Sequence, residues 1–295
     1  MAAPTDPQIQ PATPARGGSL PWAPIGWFGL LLAVWYAPVL QLLVRDWLND
    51  DDMGHGLFVP LVAGYIVWLR REELRKVELK PNAWGMALVA LAGLQLIAAT
   101  LGVEFFLART SFVLALAGVL LTLGGMPLVR ALAFPLVLLL FMIPLPAIVF
   151  SQITFPLQML ASWFAEQSLT LAGIPVLRDG NILELPNQRL SVVEACSGIR
   201  SLLSLSFLSL VYAYFFDRRV WMRWALLACT PPIAILSNAA RVSVTGLLWE
   251  FKPEYADGFF HLFEGWIIFM AGVLLLMAAH RAASFAAARL GKGAA

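Results

Sequence analysis

Charge is scarce in this chain of 295 residues: 13% are Asp, Glu, Lys or Arg, against 60% hydrophobic, and the mean hydropathy is +0.78. Soluble domains are about a quarter charged, so the composition excludes a soluble domain and indicates a polytopic membrane protein. Cysteine is nearly absent. Cys196 and Cys229 form no CxxC and have no Cys/His ligand spacing, which argues against a zinc site and a disulfide framework. Neither a metal nor a cofactor is expected. No internal repeat stands out, so an inverted-repeat transporter gains no support. No small-residue cleavage pattern follows the first apolar run, which therefore reads as a retained helix and not a signal peptide.

What the chain does have is apolar runs of spanning length. Residues 1–20 read as a flexible tail, 21–280 as one membrane domain and 281–295 as a second tail. Eight spans are expected: Trp22–Val44, His55–Leu69, Ala83–Leu101, Phe105–Gly125, Ala131–Phe150, Cys196–Phe216, Trp224–Trp249 and His261–Ala279. Pro231-Pro232 predicts a break in the seventh. Ser151–Gly173 is as long as a span, but Gln152, Gln158, Glu166 and Gln167 make it amphipathic, so it is expected to lie in the outer interface. Ile174–Val193 alternates short apolar runs with the turn Arg178-Asp179-Gly180-Asn181 and reads as β-like. The expected class is all-α polytopic, with one interfacial helix and one short β-like segment.

The few charges are unevenly distributed. Eight spans with both ends inside place thirteen Lys/Arg and five acids inside, about +8. Seven basic residues and thirteen acids lie outside, about −6. That asymmetry obeys the positive-inside rule, whereas a crossing by Ser151–Gly173, with the other eight kept, would put Arg218, Arg219 and Arg223 outside.

In this layout three reactive side chains lie toward the outer face. Cys196 opens the sixth span, where unpaired backbone N–H groups and the helix dipole favour thiolate. Arg241 lies in the seventh, roughly 12 Å from its outer end at 1.5 Å per residue. His261 opens the eighth. Each has a plainer reading: a packed cysteine, an interfacial histidine, a structural arginine. A charge at that depth is costly, however, and intramembrane ionisable residues default to function. Together the three supply a nucleophile, a base and an oxyanion donor for cysteine-based acyl transfer. Asn238, three residues before Arg241, shares its helix face. Cys229 lies about 18 Å lower on the same helix and cannot serve. A different class stays open: a transporter or flippase for a lipid-linked saccharide, with Arg241 binding phosphate.

Four blocks carry a family resemblance: Gly54-His55-Gly56-Leu57-Phe58-Val59-Pro60, Glu194-Ala195-Cys196-Ser197-Gly198-Ile199-Arg200-Ser201, Asn238-Ala239-Ala240-Arg241-Val242 and His261-Leu262-Phe263-Glu264-Gly265-Trp266. In order and spacing they resemble the signature blocks of the exosortase/archaeosortase family, with Gly54 where serine is usual. The resemblance implies a multi-pass enzyme of the bacterial inner membrane with both termini cytoplasmic and its site toward the periplasm. Histidine at the third catalytic position favours the bacterial branch. By the same resemblance Cys196, Arg241 and His261 are catalytic, and the reaction is cleavage of C-terminal PEP-CTERM sorting signals by a cysteine protease/transpeptidase. It would accompany protein export and exopolysaccharide production. The implied partners are PEP-CTERM substrate proteins and membrane lipids, with no nucleic acid and no fused second domain. His55, Glu194, Ser197, Arg200, Asn238 and Glu264 are candidates for substrate binding or support of the site. Arg178, Arg189 and Arg200 are candidates to meet the acidic residue of such a signal.

Overall fold

The computed structural model describes residues 22–186, 188–192, 198–251, 259–289 and 291. The expected tail 1–20 and most of the acidic loop Glu250–Phe260 lie outside them. The described residues are predominantly helical. Among the described residues six helices are long and apolar enough to cross a membrane, or seven when a bent pair counts as one span. The chain divides into two compact units, 1–41 with 61–140 and 42–60 with 141–295.

The first expected span is not one straight helix. Helix α1 (Trp22–Trp35) meets α2 (Ala37–Asn49) at 76°. Pro38 sits in the first turn of α2, where its ring cannot fit under the carbonyl one turn earlier, so a kink at this point has a covalent cause. A 3₁₀ segment Asp51–Leu57 then leads into α3 (Phe58–Leu69), followed by the single turn α4 (Arg71–Leu74).

In the first unit α5 (Trp84–Leu101) packs along α6 (Phe105–Ala131). The pair approaches closely at glycine: a Cβ on Gly118 would lie 2.8 Å from Val89 Cγ2. Gly125 interrupts α6 at φ 71°, and a Cβ there would overlap the Lys80 carbonyl. The basic stretch after α3 is tied to the same unit by Arg70, which donates to Glu73 at 2.9 Å and to the Ala131 carbonyl at 3.0 Å. The fifth expected span, Ala131–Phe150, becomes α7 (Ala133–Leu139) and a 3₁₀ turn, Leu140–Met142. At ten residues the pair is too short to cross at 1.5 Å per residue. Pro144 and Pro146 prevent its extension, since neither can donate to a helical ladder.

The second unit contains the stretch expected to lie flat. Helix α8 (Ala147–Leu171) has 25 residues and is apolar enough to span. Its polar positions 158, 162 and 166 recur every four residues on one face, and each is paired with the following hairpin. Gln158 accepts from Asn181 at 3.1 Å, Ser162 donates to the Gly180 carbonyl at 3.0 Å, and Glu166 meets Arg178 at 2.9 Å. Of the polar residues expected to face the interface, Gln158 and Glu166 therefore face protein, whereas Gln152 and Gln167 are exposed.

The hairpin belongs to a three-stranded antiparallel sheet: β1 (Leu177–Asp179), β2 (Ile182–Glu184) and β3 (Arg189–Ser191), with Arg178 opposite Leu183 and Leu183 opposite Leu190. Leu183, Leu190 and Val192 are buried in one cluster with Ala161, Ala165 and Leu169 of α8 and Ala239 and Val242 of the later helix α10. One face of the sheet is thereby covered by protein.

Three helices complete the unit: α9 (Gly198–Phe216), α10 (Val220–Phe251) and α11 (Phe259–Arg289). Leu205 and Ala213 of α9, Met222, Leu226 and Ile233 of α10 and Leu276 of α11 form their shared core. Pro231 and Pro232 do not break α10, contrary to expectation; the helix runs through both. Membrane helices tolerate proline where neighbouring helices hold the segment in place. Residues 281–289, expected in a tail, continue α11.

Candidate functional site

Arg241, Asn238 and Ser237 occupy consecutive turns of α10 and line one small pocket with Ser201 and Leu205 of α9 and Gly265, Ile268, Phe269 and Gly272 of α11. Its volume is about 20 Å³, room for a single water-sized body. The close approach of α11 is made by glycine. A Cβ on Gly265 would stand 3.0 Å from both Cζ and Nη2 of Arg241, so the guanidinium lies directly against helix backbone. Two turns later a Cβ on Gly272 would stand 3.1 Å from Ser237 Oγ. Glycine inside a helix is otherwise unfavourable, and here it admits a polar side chain from the neighbour.

Asn238 is 4% exposed, and neither end of its amide has a hydrogen-bond partner. Ser237 Oγ is buried and equally unsatisfied. Native interiors rarely leave such groups unpaired, because each costs its full desolvation penalty.

The expected site residues fall into three groups. Arg241 and Asn238 meet in the pocket, beside residues of α9 and α11. His55 and Arg200 meet elsewhere, where the 3₁₀ segment Asp51–Leu57 packs on α9. Asp50 caps that segment by accepting from the Asp52 N–H. Arg200 reaches Asp52 at 3.2 Å and Asp51 at 3.4 Å, and His55 Nε2 lies 3.1 Å from the Phe141 carbonyl with its ring 6.4 Å from that of Phe207. Neither His55 nor Arg200 lines the pocket of Arg241. The third group, Cys196, Glu194 and Ser197, lies outside the described residues. So do the side chains of His261 and Glu264, whose backbone forms the first turns of α11.

The three arginines proposed to meet an acidic peptide all have carboxylates of this chain beside them. Arg178 pairs with Glu166, Arg189 with Glu184 and Arg200 with Asp51 and Asp52. Arg200 is the most weakly held of the three by distance, and half-exposed.

Sequence reasoning missed Gly265, Ser237 and Ser201 as neighbours of Arg241. The available signal for Gly265 was a glycine one turn after a candidate catalytic histidine, inside an apolar run. It also missed a second polar cluster at the far end of the same helices. Asp217, 8% exposed, accepts from Arg219 Nη2 at 2.6 Å and lies 3.0 Å from His280 Nε2. His280 Nδ1 faces the Tyr212 hydroxyl at 3.2 Å, and Arg219 also donates to Ser284 Oγ at 2.7 Å. The Arg219 hydrogen bond holds the Asp217 carboxyl well below the usual carboxylate range, against the opposing effect of its burial. A larger groove of about 600 Å³ in the first unit is lined by Phe28, Leu31, Trp35, Met86 and other apolar side chains. Its polar side chains are Tyr36 and Thr122, and none of its lining residues is a Cys, His, Asp or Glu.

The chain matches the family model described as transmembrane exosortase over residues 47–278. No curated protein and no solved structure matches it.

Proposed function

The chain belongs to the transmembrane exosortase family, and we propose that it is a membrane-embedded cysteine peptidase/transpeptidase that cuts C-terminal PEP-CTERM-type sorting signals at the outer face of the bacterial inner membrane. The observation that carries this reading is the packing of Arg241 against Gly265, one turn after His261, in a pocket shared with Ser201 of the helix that follows the Cys196 block. Ser201, Arg241 and Gly265, one residue from each of three signature blocks, thus lie on three mutually packed helices.

In the proposed reaction the Cys196 thiolate attacks the scissile carbonyl carbon, and the carbonyl oxygen becomes an oxyanion held by the Arg241 guanidinium. The intermediate collapses by breaking the C–N bond. His261 gives a proton to the departing amine, which leaves an acyl thioester on Cys196. An acceptor hydroxyl or amine, or water, then attacks the thioester and returns the thiol.

In the proposed topology α8 replaces the short α7 as a crossing and α9 crosses in addition to the seven candidate spans, which makes eight. The number of crossings before Cys196 therefore keeps its parity, and the positive-inside rule puts Arg218, Arg219 and Arg223 on the inner side.

The test is Cys196→Ala, co-expressed with a PEP-CTERM protein. Substrate should accumulate with its signal uncut while the variant inserts and melts like the parent. Continued cutting removes Cys196 as the nucleophile.

A further inference from the structure

We propose that Ser237 and Asn238 form a socket for one tightly bound water molecule beside Arg241, and that this water orients the guanidinium. Three independent features converge on it. The pocket is the right size: about 20 Å³ admits one water. Its wall holds polar atoms that need a partner, both ends of the Asn238 amide and Ser237 Oγ, all buried. Of the other lining side chains, Leu205, Ala234, Ile268 and Phe269 are apolar, and Ser201 adds one hydroxyl.

The donor and acceptor inventory suits water and little else. A carboxamide presents two donors and an acceptor, and a hydroxyl presents both. Water can accept from Asn238 Nδ2 and donate to Ser237 Oγ while keeping one lone pair for an arginine N–H, which gives it the two to four polar partners that buried waters have. A cation is disfavoured because the guanidinium shares the wall. A small anion is the remaining competitor, since every group named can donate to it.

The role follows from position. Ser237, Asn238 and Arg241 lie on one side of α10 at spacings of three and four residues. Gly265 and Gly272 of α11 let Arg241 and Ser237 approach the helix backbone where a side chain would crowd them. A water bonded to Asn238 and Ser237 would hold the guanidinium from the α10 side while the Gly265 backbone holds it from the α11 side. Asn238 is then a positioning residue. This role rests on the reading of Arg241 as the oxyanion donor; the water site itself does not.

The experiment is a crystal structure of the full-length protein at a resolution that shows ordered waters, with a parallel data set from crystals grown in bromide. One peak within hydrogen-bond distance of Asn238 and Ser237, without anomalous signal in bromide, is expected. An anomalous peak would assign the socket to an anion, and a dry pocket with Asn238 bonded to protein would abolish it; either overturns the proposal. The functional arm uses Asn238→Leu, which fills the same space with carbon and expels water, and Asn238→Ala, which enlarges the socket and retains it. The leucine variant should melt at or above the parent temperature and lose about tenfold in turnover with unchanged substrate affinity, because misplacement of a catalytic group acts on rate. The alanine variant should lose less than the leucine variant. Equal activity of Asn238→Leu and parent would overturn the positioning role even with the water present, and would leave the Cys196 assignment untouched.

Discussion

The helices α9, α10 and α11 carry a polar cluster near each end, and the two are built on opposite plans. At one end Asp217, Arg219, His280, Tyr212 and Ser284 satisfy one another. At the other, Asn238 and Ser237 sit buried beside Arg241 with hydrogen-bonding atoms unused. Along α11 the two ends are about 28 Å apart, from position 261 to 280 at 1.5 Å per residue. A saturated network ties helices together and has nothing left to offer a ligand. An unsaturated one costs stability and is kept where something must bind. Perturbed titration does not by itself distinguish them: the shifted carboxyl, Asp217, belongs to the saturated cluster.

The largest effect that would sharpen this contrast is at Arg241. Arg241→Lys should lower turnover at least about 100-fold, the scale on which single oxyanion donors act, because an ammonium does not reproduce the planar fork. Near-normal turnover would make Arg241 structural and erase the difference between the two ends. Gly265→Val should come next, at about tenfold, since the added carbons displace a guanidinium that must be held in place. Turnover at the parent rate would show that the close approach is incidental packing.

Asp217→Asn should do the reverse, lowering the melting temperature by a few degrees while the folded fraction works at the parent rate. A catalytic defect without melting loss would move the active chemistry to that end. The sign of the pH dependence follows from the depressed carboxyl. The contribution of Asp217 is complete above the unfolded carboxylate value of about 4 and is lost only as pH falls toward its folded value. Melting of the parent should therefore stay level in this respect from pH 8 to 5. The smallest effect is expected from Arg200→Ala. Its ion pairs are solvent-exposed, so melting should change by no more than 1 kcal/mol or so. A several-fold drop in processing without that loss would instead make Arg200 a substrate contact.

Much of the architecture was legible before any coordinates. The apolar runs at 84–101 and 105–131 are continuous and strongly hydrophobic, and local composition suffices for such helices. Asn238 and Arg241 were readable as neighbours because a three-residue spacing on a helix is a local fact. Ser151–Gly173 misled because its polar stripe has the period of an interfacial helix, and periodicity says which face is polar but not what it touches. The partners, Asn181, the Gly180 carbonyl and Arg178, come from a hairpin that only the fold returns to that face. Ala131–Phe150 misled because its apolar length was counted across prolines that interrupt the helix.

Composition and the order of its signature blocks determined that this is a helical membrane protein of the exosortase family. These are sums and spacings along a chain, and they survive any error in packing. Only the tertiary structure decided that Gly265 supports Arg241, that Ser237 belongs with Asn238 in one pocket, and that His280 serves the far end. Such pairings join residues tens of positions apart, and the free energy that selects them comes from burial and hydrogen bonding between helices, which no local pattern encodes.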